Sequence, residues 1–215
     1  MEEQDLYAAL LHELKNNVVL LTLTMDTIPR TGDSEHDGPL DDARLIGQRV
    51  SERLLQALFL YKSEQGGVTL NAIDAYSPAD LVEEIAHQAR SLHKQLEVRV
   101  SIDESVPPIW FFDRNMLEMA LLNAVHNSIH YARHQIGIGI TVRDDKLVFS
   151  VRDDSDGYPP HIIEAVREGR TLQSSGTGLG LRFARLIAEA HSNEDRIGEL
   201  HLYNDAGAVF EISVP

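Results

Sequence analysis

Two long runs of apolar residues at helical spacing fill the first 66 residues, and beyond them the spacing changes; no other feature constrains the fold as much. Over residues 6–28, Leu6, Leu10, Leu14, Val18, Leu21, Met25 and Ile28 advance by fours and threes, which keeps them on one stripe of an amphipathic helix. Pro29 is expected to stop that helix, because proline disfavours helical geometry in the residue before it, and residues 31–39 have turn composition throughout. A second helix is expected over residues 40–63, where Ala43, Ile46, Val50, Leu54, Ala57, Leu58 and Tyr61 recur at helical spacing, with Gly66-Gly67 ending it. Two such helices joined by a short loop form a hairpin that leaves half of its apolar stripe facing water. A second copy related by a two-fold axis covers that stripe, and a dimeric four-helix bundle is the expected result. A monomer whose own second domain docks on the hairpin meets the same packing requirement.

After Gly67 strands and helices alternate. Residues 68–70 read as a short strand, residues 78–94 as a helix opened by Ser77, and residues 96–102 as a strand of alternating apolar and polar residues. A helix over 113–132 follows, then strands over 136–142 and 146–151 joined through Arg143-Asp144-Asp145 as a hairpin, and a helix over 159–168. A helix over 179–190 and strands over 198–203 and 208–214 close the chain. The expected fold class is α+β, with residues 1–66 as a helical hairpin and residues 67–215 as an α/β sandwich, one face of its sheet covered by helices.

A net charge of −15 argues against a sequence-independent nucleic-acid binder and favours a basic partner surface. With Cys 0 there are no disulfides, thiolate metal sites or thiol nucleophiles, which suits a reducing compartment. No stretch approaches the roughly 20 apolar residues of a membrane span, and the start Met1-Glu2-Glu3 is the wrong flank for a signal peptide, so a cytoplasmic protein is expected.

Four short elements carry chemistry. At about 100° per residue, His12 projects away from the Leu14–Leu21 side of its helix, with Asn16 one turn on and Glu13 beside it. A neutral imidazole is a competent nucleophile toward a phosphoryl group, and a neighbouring carboxylate that orients it or takes its proton sharpens it. His12-Glu13 also begins like H-E-x-x-H, but Asn16 stands where the second histidine of a zinc protease belongs. In the helix over 113–132, Asn123, Asn127 and His130 fall together opposite the apolar stripe, and an amide oxygen is a hard ligand suited to magnesium. His126, His130 and His134 share four-residue spacing but lack a carboxylate or cysteine pattern to complete a transition-metal site.

Asp153-Asp154-Ser155-Asp156-Gly157 follows a strand, where a carboxylate can accept a hydrogen bond from an exocyclic amine such as that of adenine, and Gly157 permits a sharp turn. Arg152 occupies the place of the first ligating carboxylate of an EF-hand, which removes that reading. Gly176-Thr177-Gly178-Leu179-Gly180-Leu181 runs into a helix start, where backbone amides and the positive helix end can face a phosphate chain. It lacks the Lys-Ser or Lys-Thr of a Walker loop and follows a loop instead of a first strand, which also weakens a Rossmann reading.

Together these residues resemble the catalytic core of a sensor histidine kinase of two-component signalling, with a GHKL-type ATP-binding domain, over nearly the whole chain. His12-Glu13-Leu14-Lys15-Asn16 is similar to the H-box. The resemblance implies that His12 is the phosphoacceptor, Glu13 its acid/base partner, and Asn16 the residue that positions a water for dephosphorylating the response regulator. Asn123, Asn127, His130 and Tyr131 resemble the N-box, which implies that Asn127 binds magnesium and that His130 lies near the phosphates. Asp153 and Gly157 match the G1 box, and Gly176, Thr177, Gly178, Leu179, Gly180 and Leu181 the G2 box, both lining ATP. The family is dimeric through its hairpin.

Departures from the pattern are Ser155 in place of the first G1 glycine, Asn17 in place of the usual H-box proline, and a short lid over 158–175 without phenylalanine. In that lid Arg167 and Arg170 are the side chains that can reach a phosphate. The implied function is an ATP- and Mg2+-dependent autokinase passing its phosphoryl group to a response-regulator receiver domain, with input from a separate sensor protein or another domain. A histidine phosphotransfer protein or pseudokinase scaffold is the alternative, and regulator phosphatase activity through Asn16 is a third.

Overall fold

The computed structural model describes residues 3–29, 34–66, 70, 73–93, 95–170 and 179–215, and the chain divides into two compact units, Met1–Gly67 and Val68–Pro215. The first holds α1 (Glu3–Asp26) and α2 (Ser34–Gly66), packed against each other. With Asn17 where a proline would kink it, α1 runs unbroken. Gly47 of α2 is buried where a Cβ would lie 2.8 Å from Thr22 Oγ1 and 3.5 Å from Met25 Cε, so the two backbones approach closely there. The apolar stripe of α1 is accordingly split: Val18 and Met25 are partly covered, whereas Leu14, Leu21 and Ile28 stay 51%, 55% and 47% exposed. Contrary to the turn composition of residues 31–39, α2 already begins at Ser34 and carries Pro39 within it. Pro39 lies in the second turn of this helix, where it removes one ladder hydrogen bond.

The second unit is built on a five-stranded sheet of order β2 (Glu97–Ile102), β4 (Gln135–Arg143), β5 (Lys146–Asp153), β9 (Ala208–Val214) and β8 (Glu199–Asn204). Only β2 and β4 are parallel; the remaining pairs are antiparallel. Asp144 and Asp145, both at positive φ (51° and 57°), make the two-residue turn whose twist matches the β4–β5 hairpin. Strand alternation sends Ile136, Ile138, Ile140, Phe149, Val151, Phe210, Ile212, Leu200 and Leu202 to one face, all buried. Over that face lie α3 (Pro78–Leu92), α4 (Arg114–Tyr131) and α6 (Leu179–Ala190), bringing Leu81, Ile85, Leu117, Leu121, Phe183 and Ile187 into the same core. Burying each of these large side chains stabilises the fold by about 1.5–3 kcal/mol, which in a chain without cysteine supplies the cohesion. Ser77 caps α3, accepting from the Asp80 N–H at 3.2 Å.

Two small strand pairings escape the hydrophobic pattern. Leu70 is not in a strand, and residues 68 and 69 of the expected first strand lie outside the described residues. The first strand is instead β1 (Ile73–Tyr76), which pairs antiparallel with β3 (Trp110–Asp113). Tertiary contact forms this pair: Phe112 is fully buried, its ring 5.6 Å from Tyr76 and 6.1 Å from Phe149. A two-residue hairpin, β6 (Ser192–Asn193) with β7 (Arg196–Ile197), follows α6 and turns through Glu194 at φ 54°. On the other face of the sheet Glu211 is buried, accepting from Arg143 (3.0 Å) and from the Tyr203 hydroxyl (2.9 Å), and Arg152 donates to that hydroxyl (3.1 Å).

His191 fastens the end of α6 to the start of α4. Its Nε2 accepts the Asp113 N–H at 3.0 Å, which assigns the proton to Nδ1, where it is donated to Ile187 O at 2.7 Å. The Asp113 carboxylate in turn caps α4 by accepting from the Met116 N–H at 3.1 Å. Burial lowers the His191 pKa below its ordinary 6.5, outweighing the Ile187 hydrogen bond and the Asp113 charge that act to raise it. The unfolded chain therefore binds the proton first on acidification, so this contribution is present above pH 6.5 and is lost as pH falls from 6.5 toward the lower folded-state value. Urea unfolding from pH 7 to 5 should show wild-type stability falling more steeply than that of H191Q, by up to about 1.4 kcal/mol per pH unit. Equal slopes would refute the neutral, buried assignment.

Candidate functional site

The chemistry-bearing residues of the second unit collect where β5 ends, α4 ends and α6 begins. On α4, Leu117, Leu121, Ala124, Val125 and Ser128 face the core, which leaves Asn123 half-buried and Asn127, His130 and Tyr131 exposed on the opposite side. The His130 and Tyr131 rings meet edge to face with centroids 4.9 Å apart. Gly180, in the first turn of α6, is pressed onto Asn123: a Cβ there would lie 2.2 Å from Asn123 Nδ2 and 2.8 Å from Oδ1. This contact joins the asparagine face of α4 to the helix that follows the glycine-rich loop. Leu179, Gly180 and Leu181 open α6, so their backbone N–H groups sit at its positive end. Gly176, Thr177 and Gly178 lie outside the described residues.

Asp153 ends β5 and shapes the turn that follows. Its Oδ1 accepts the N–H groups of Ser155 (3.0 Å) and Ala208 (3.2 Å), while among the described residues Oδ2 has no hydrogen-bond partner. Ser155 Oγ accepts the Gly157 N–H at 3.1 Å, so the serine supplies by side chain a turn that the family pattern makes with glycine. Gly157 is at φ 86° and lies against Asn204, where a Cβ would come within 2.6 Å of the amide. Asn204 then clasps the next residue through both backbone groups, accepting the Tyr158 N–H at 2.8 Å and donating to its carbonyl at 3.0 Å. At Gly207 a Cβ would stand 1.8 Å from the Asp153 carbonyl oxygen, so no other residue fits there without displacing the β5 end.

Asp154 points the other way. It accepts the Arg133 N–H (2.7 Å) and the His134 N–H (3.0 Å), and lies 3.2 Å from His134 Nδ1, pinning the α4–β4 junction to the turn. Burial opposes its ionisation, but the amides of His134, Arg133 and Gln135 more than compensate and hold its pKa at about 2. Arg133 also pairs with Asp156 across the same gap. Asn204, Gly207 and Asp154 were not singled out from the sequence; the polar composition around them signals only turns. Arg167 and Arg170 pair with Glu164 (3.9 and 3.7 Å), Arg170 also with Glu168, beside α5 (Pro160–Arg167). Among the described residues no three metal-ligating side chains converge, and His134 pairs with Asp154.

In the first unit His12, Glu13 and Asn16 all lie on α1, with Glu13 and Asn16 exposed; the His12 side chain lies outside the described residues. No described helix is long and apolar enough to cross a membrane.

Comparison with known proteins bears on this geometry. Residues 112–215 match the family of histidine kinase-, DNA gyrase B- and HSP90-like ATPases. The sensor histidine kinase CpxA of Escherichia coli is 27% identical over 203 residues, covering 88% of this chain and 42% of that protein. The sensor histidine kinase RppB of Synechocystis is 25% identical over 232 residues, covering 100% of this chain and 49% of its own length. The chain thus spans about half the length of these relatives. The fold superposes on full-length ShkA, solved in complex with AMPPNP, with a TM-score of 0.69 and 20% identity over 98% of this chain and 45% of that one. Residues 112–215 are thus similar to GHKL-type ATP-binding domains, and the chain as a whole is similar to sensor histidine kinases.

Proposed function

We propose that the chain is an ATP-dependent protein-histidine autokinase of a two-component system. The observation that carries this reading is the direct seating of Gly180 on Asn123 beside a turn that leaves one Asp153 oxygen open: phosphate-facing amides and an amine acceptor share one end of one sheet. The residues fit a purine nucleotide. Asp153 Oδ2 accepts the exocyclic amine of adenine, and Gly176, Thr177, Gly178, Leu179, Gly180 and Leu181 bind the phosphates. Asn123, His130 and Tyr131 border the nucleotide from α4, and Gly157, at positive φ, makes the adenine-side turn. The exposed Asn127 amide oxygen is the protein ligand for Mg2+, which supplies charge neutralisation to the phosphates.

Glu13 orients the His12 imidazole or takes its proton; the free ring nitrogen attacks the γ-phosphorus, the bond to the bridging oxygen breaks, and ADP leaves. A receiver-domain aspartate of a response regulator then takes the phosphoryl group from His12. Asn16, exposed one turn from His12, positions a water for the reverse task of dephosphorylating that regulator. The ordered Ser155 turn favours this reading over a pseudokinase scaffold, since the departure from glycine leaves the Asp153 end intact. The exposed Leu14, Leu21 and Ile28 support a homodimer with a four-helix bundle. The absence of cysteine suits action in the cytoplasm, with the input coming from a separate sensor protein or a further domain.

Incubation with γ-labelled ATP should place acid-labile, base-stable label on wild type and none on H12A; label persisting in H12A would sink the assignment. In calorimetric titration D153N should bind ATP about 10- to 100-fold more weakly, as expected for loss of a hydrogen bond to a charged group. Sedimentation at micromolar concentration should give a dimer for wild type and a monomer for the double variant L14E/L21E, with a monomeric wild type as the contrary result.

A further inference from the structure

Arg152 immediately precedes Asp153, and strand alternation sends the two side chains to opposite faces of the sheet. Asp153 goes to the face that α3, α4 and α6 cover, and Arg152 to the other. On that other face one row crosses three strands, with Arg152 of β5 opposite Val209 of β9 and Val209 opposite Tyr203 of β8. The Arg152 guanidinium spans the row. It lies 5.9 Å from the Tyr203 ring centroid, donates to the Tyr203 hydroxyl at 3.1 Å and donates to Asp205 Oδ2 at 3.1 Å. Val209, midway along the row, is fully buried. Tyr203 is fixed in turn by donating to the buried Glu211, which Arg143 also holds.

The two residues that Arg152 holds are the neighbours of Asn204 on either side. Asn204 bonds the Tyr158 backbone at both groups, and it opens the β8–β9 turn over residues 204–208. Within that turn Ala206 stands at φ 54°, a left-handed conformation that an alanine adopts only where its surroundings impose it. Consecutive residues of β5 supply those surroundings. Asp153 accepts from Ala208 and has Gly207 seated against its carbonyl, while Arg152 ties down Tyr203 and Asp205. The Arg152–Asp205 pair is 44% and 67% exposed, so it contributes little to folding; what it sets is position.

We propose that Arg152 is a positioning residue of the nucleotide site. From the face of the sheet away from that site it locks the β8–β9 turn onto the end of β5, and so fixes Asn204, with the Tyr158 backbone it clasps, relative to Asp153. The proposal deepens the nucleotide reading above and rests on it. Arg152 acts through its neighbours and touches no ligand, because its side chain lies on the opposite face from Asp153.

The test is calorimetric titration of the whole chain with ADP, run on wild type, R152M, D205A and the double variant. ADP is an anion, so a pair acting through charge alone would shift affinity in opposite directions: R152M would weaken binding and D205A would tighten it. Positioning makes both single changes weaken binding, by roughly 3- to 10-fold, the size of one lost hydrogen bond. The double variant should lie within a factor of about two of R152M, since either change alone already breaks the pair. Urea midpoints of all three variants should stay at the wild-type value, which separates loss of position from loss of fold. Wild-type ADP affinity in R152M, tighter binding by D205A, or a weakening that tracks a lowered urea midpoint would each overturn the role of Arg152 while leaving nucleotide binding standing. A wild type that binds no ADP overturns the nucleotide reading itself.

Discussion

Two adjacent carboxylates facing opposite ways hold the functional end of the second unit together. Strand alternation at the end of β5 turns Asp153 toward β9, where it accepts from Ala208, and turns Asp154 toward α4, where it accepts from Arg133 and His134. A loop end, a helix end and a strand end, each with backbone amides that would otherwise lack partners, are thereby tied to one dipeptide. Each bond to a carboxylate contributes on the order of 1–3 kcal/mol, less where it is exposed to water, and several of them act on one dipeptide.

Much of the architecture was readable because long periodic segments carry their own signal. The bounds of α6 and β9 fall where apolar spacing places them, and Ser77 announces α3. What was not readable is made by contacts distant in sequence. The β1–β3 pair consists of two four-residue strands stabilised by Phe112 packing on Phe149, and no local pattern carries that information. The early start of α2 was hidden by residues 34–39, whose glycine and proline look like a turn while their acidic neighbours favour a helix end.

The same division holds at the site. Asp153 and Gly157 stand out because they follow a strand at a recognisable spacing, and the asparagines of α4 because they are mediocre helix formers on one face. Asn204 and Gly207 do not, being an asparagine and a glycine in a loop rich in such residues; their meaning lies in the atoms opposite, a Tyr158 backbone and an Asp153 carbonyl roughly fifty residues away. Ser155, by contrast, looks in the sequence like the loss of a required glycine. Its hydroxyl and N–H rebuild the turn through Gly157 and Asp153, so the substitution changes the means and keeps the shape.

The seating of Gly157 on Asn204 also shapes how this region tolerates change. A side chain at position 157 is excluded both by the positive φ and by the amide that fills the space above it, and that amide holds Tyr158 only because nothing intervenes. Neither position is free to vary alone, so substitutions at the two should be strongly non-additive: the harm done by enlarging Gly157 shrinks once Asn204 has already been shortened. The two turns form a single epistatic unit, and their sequences are constrained to drift together or not at all.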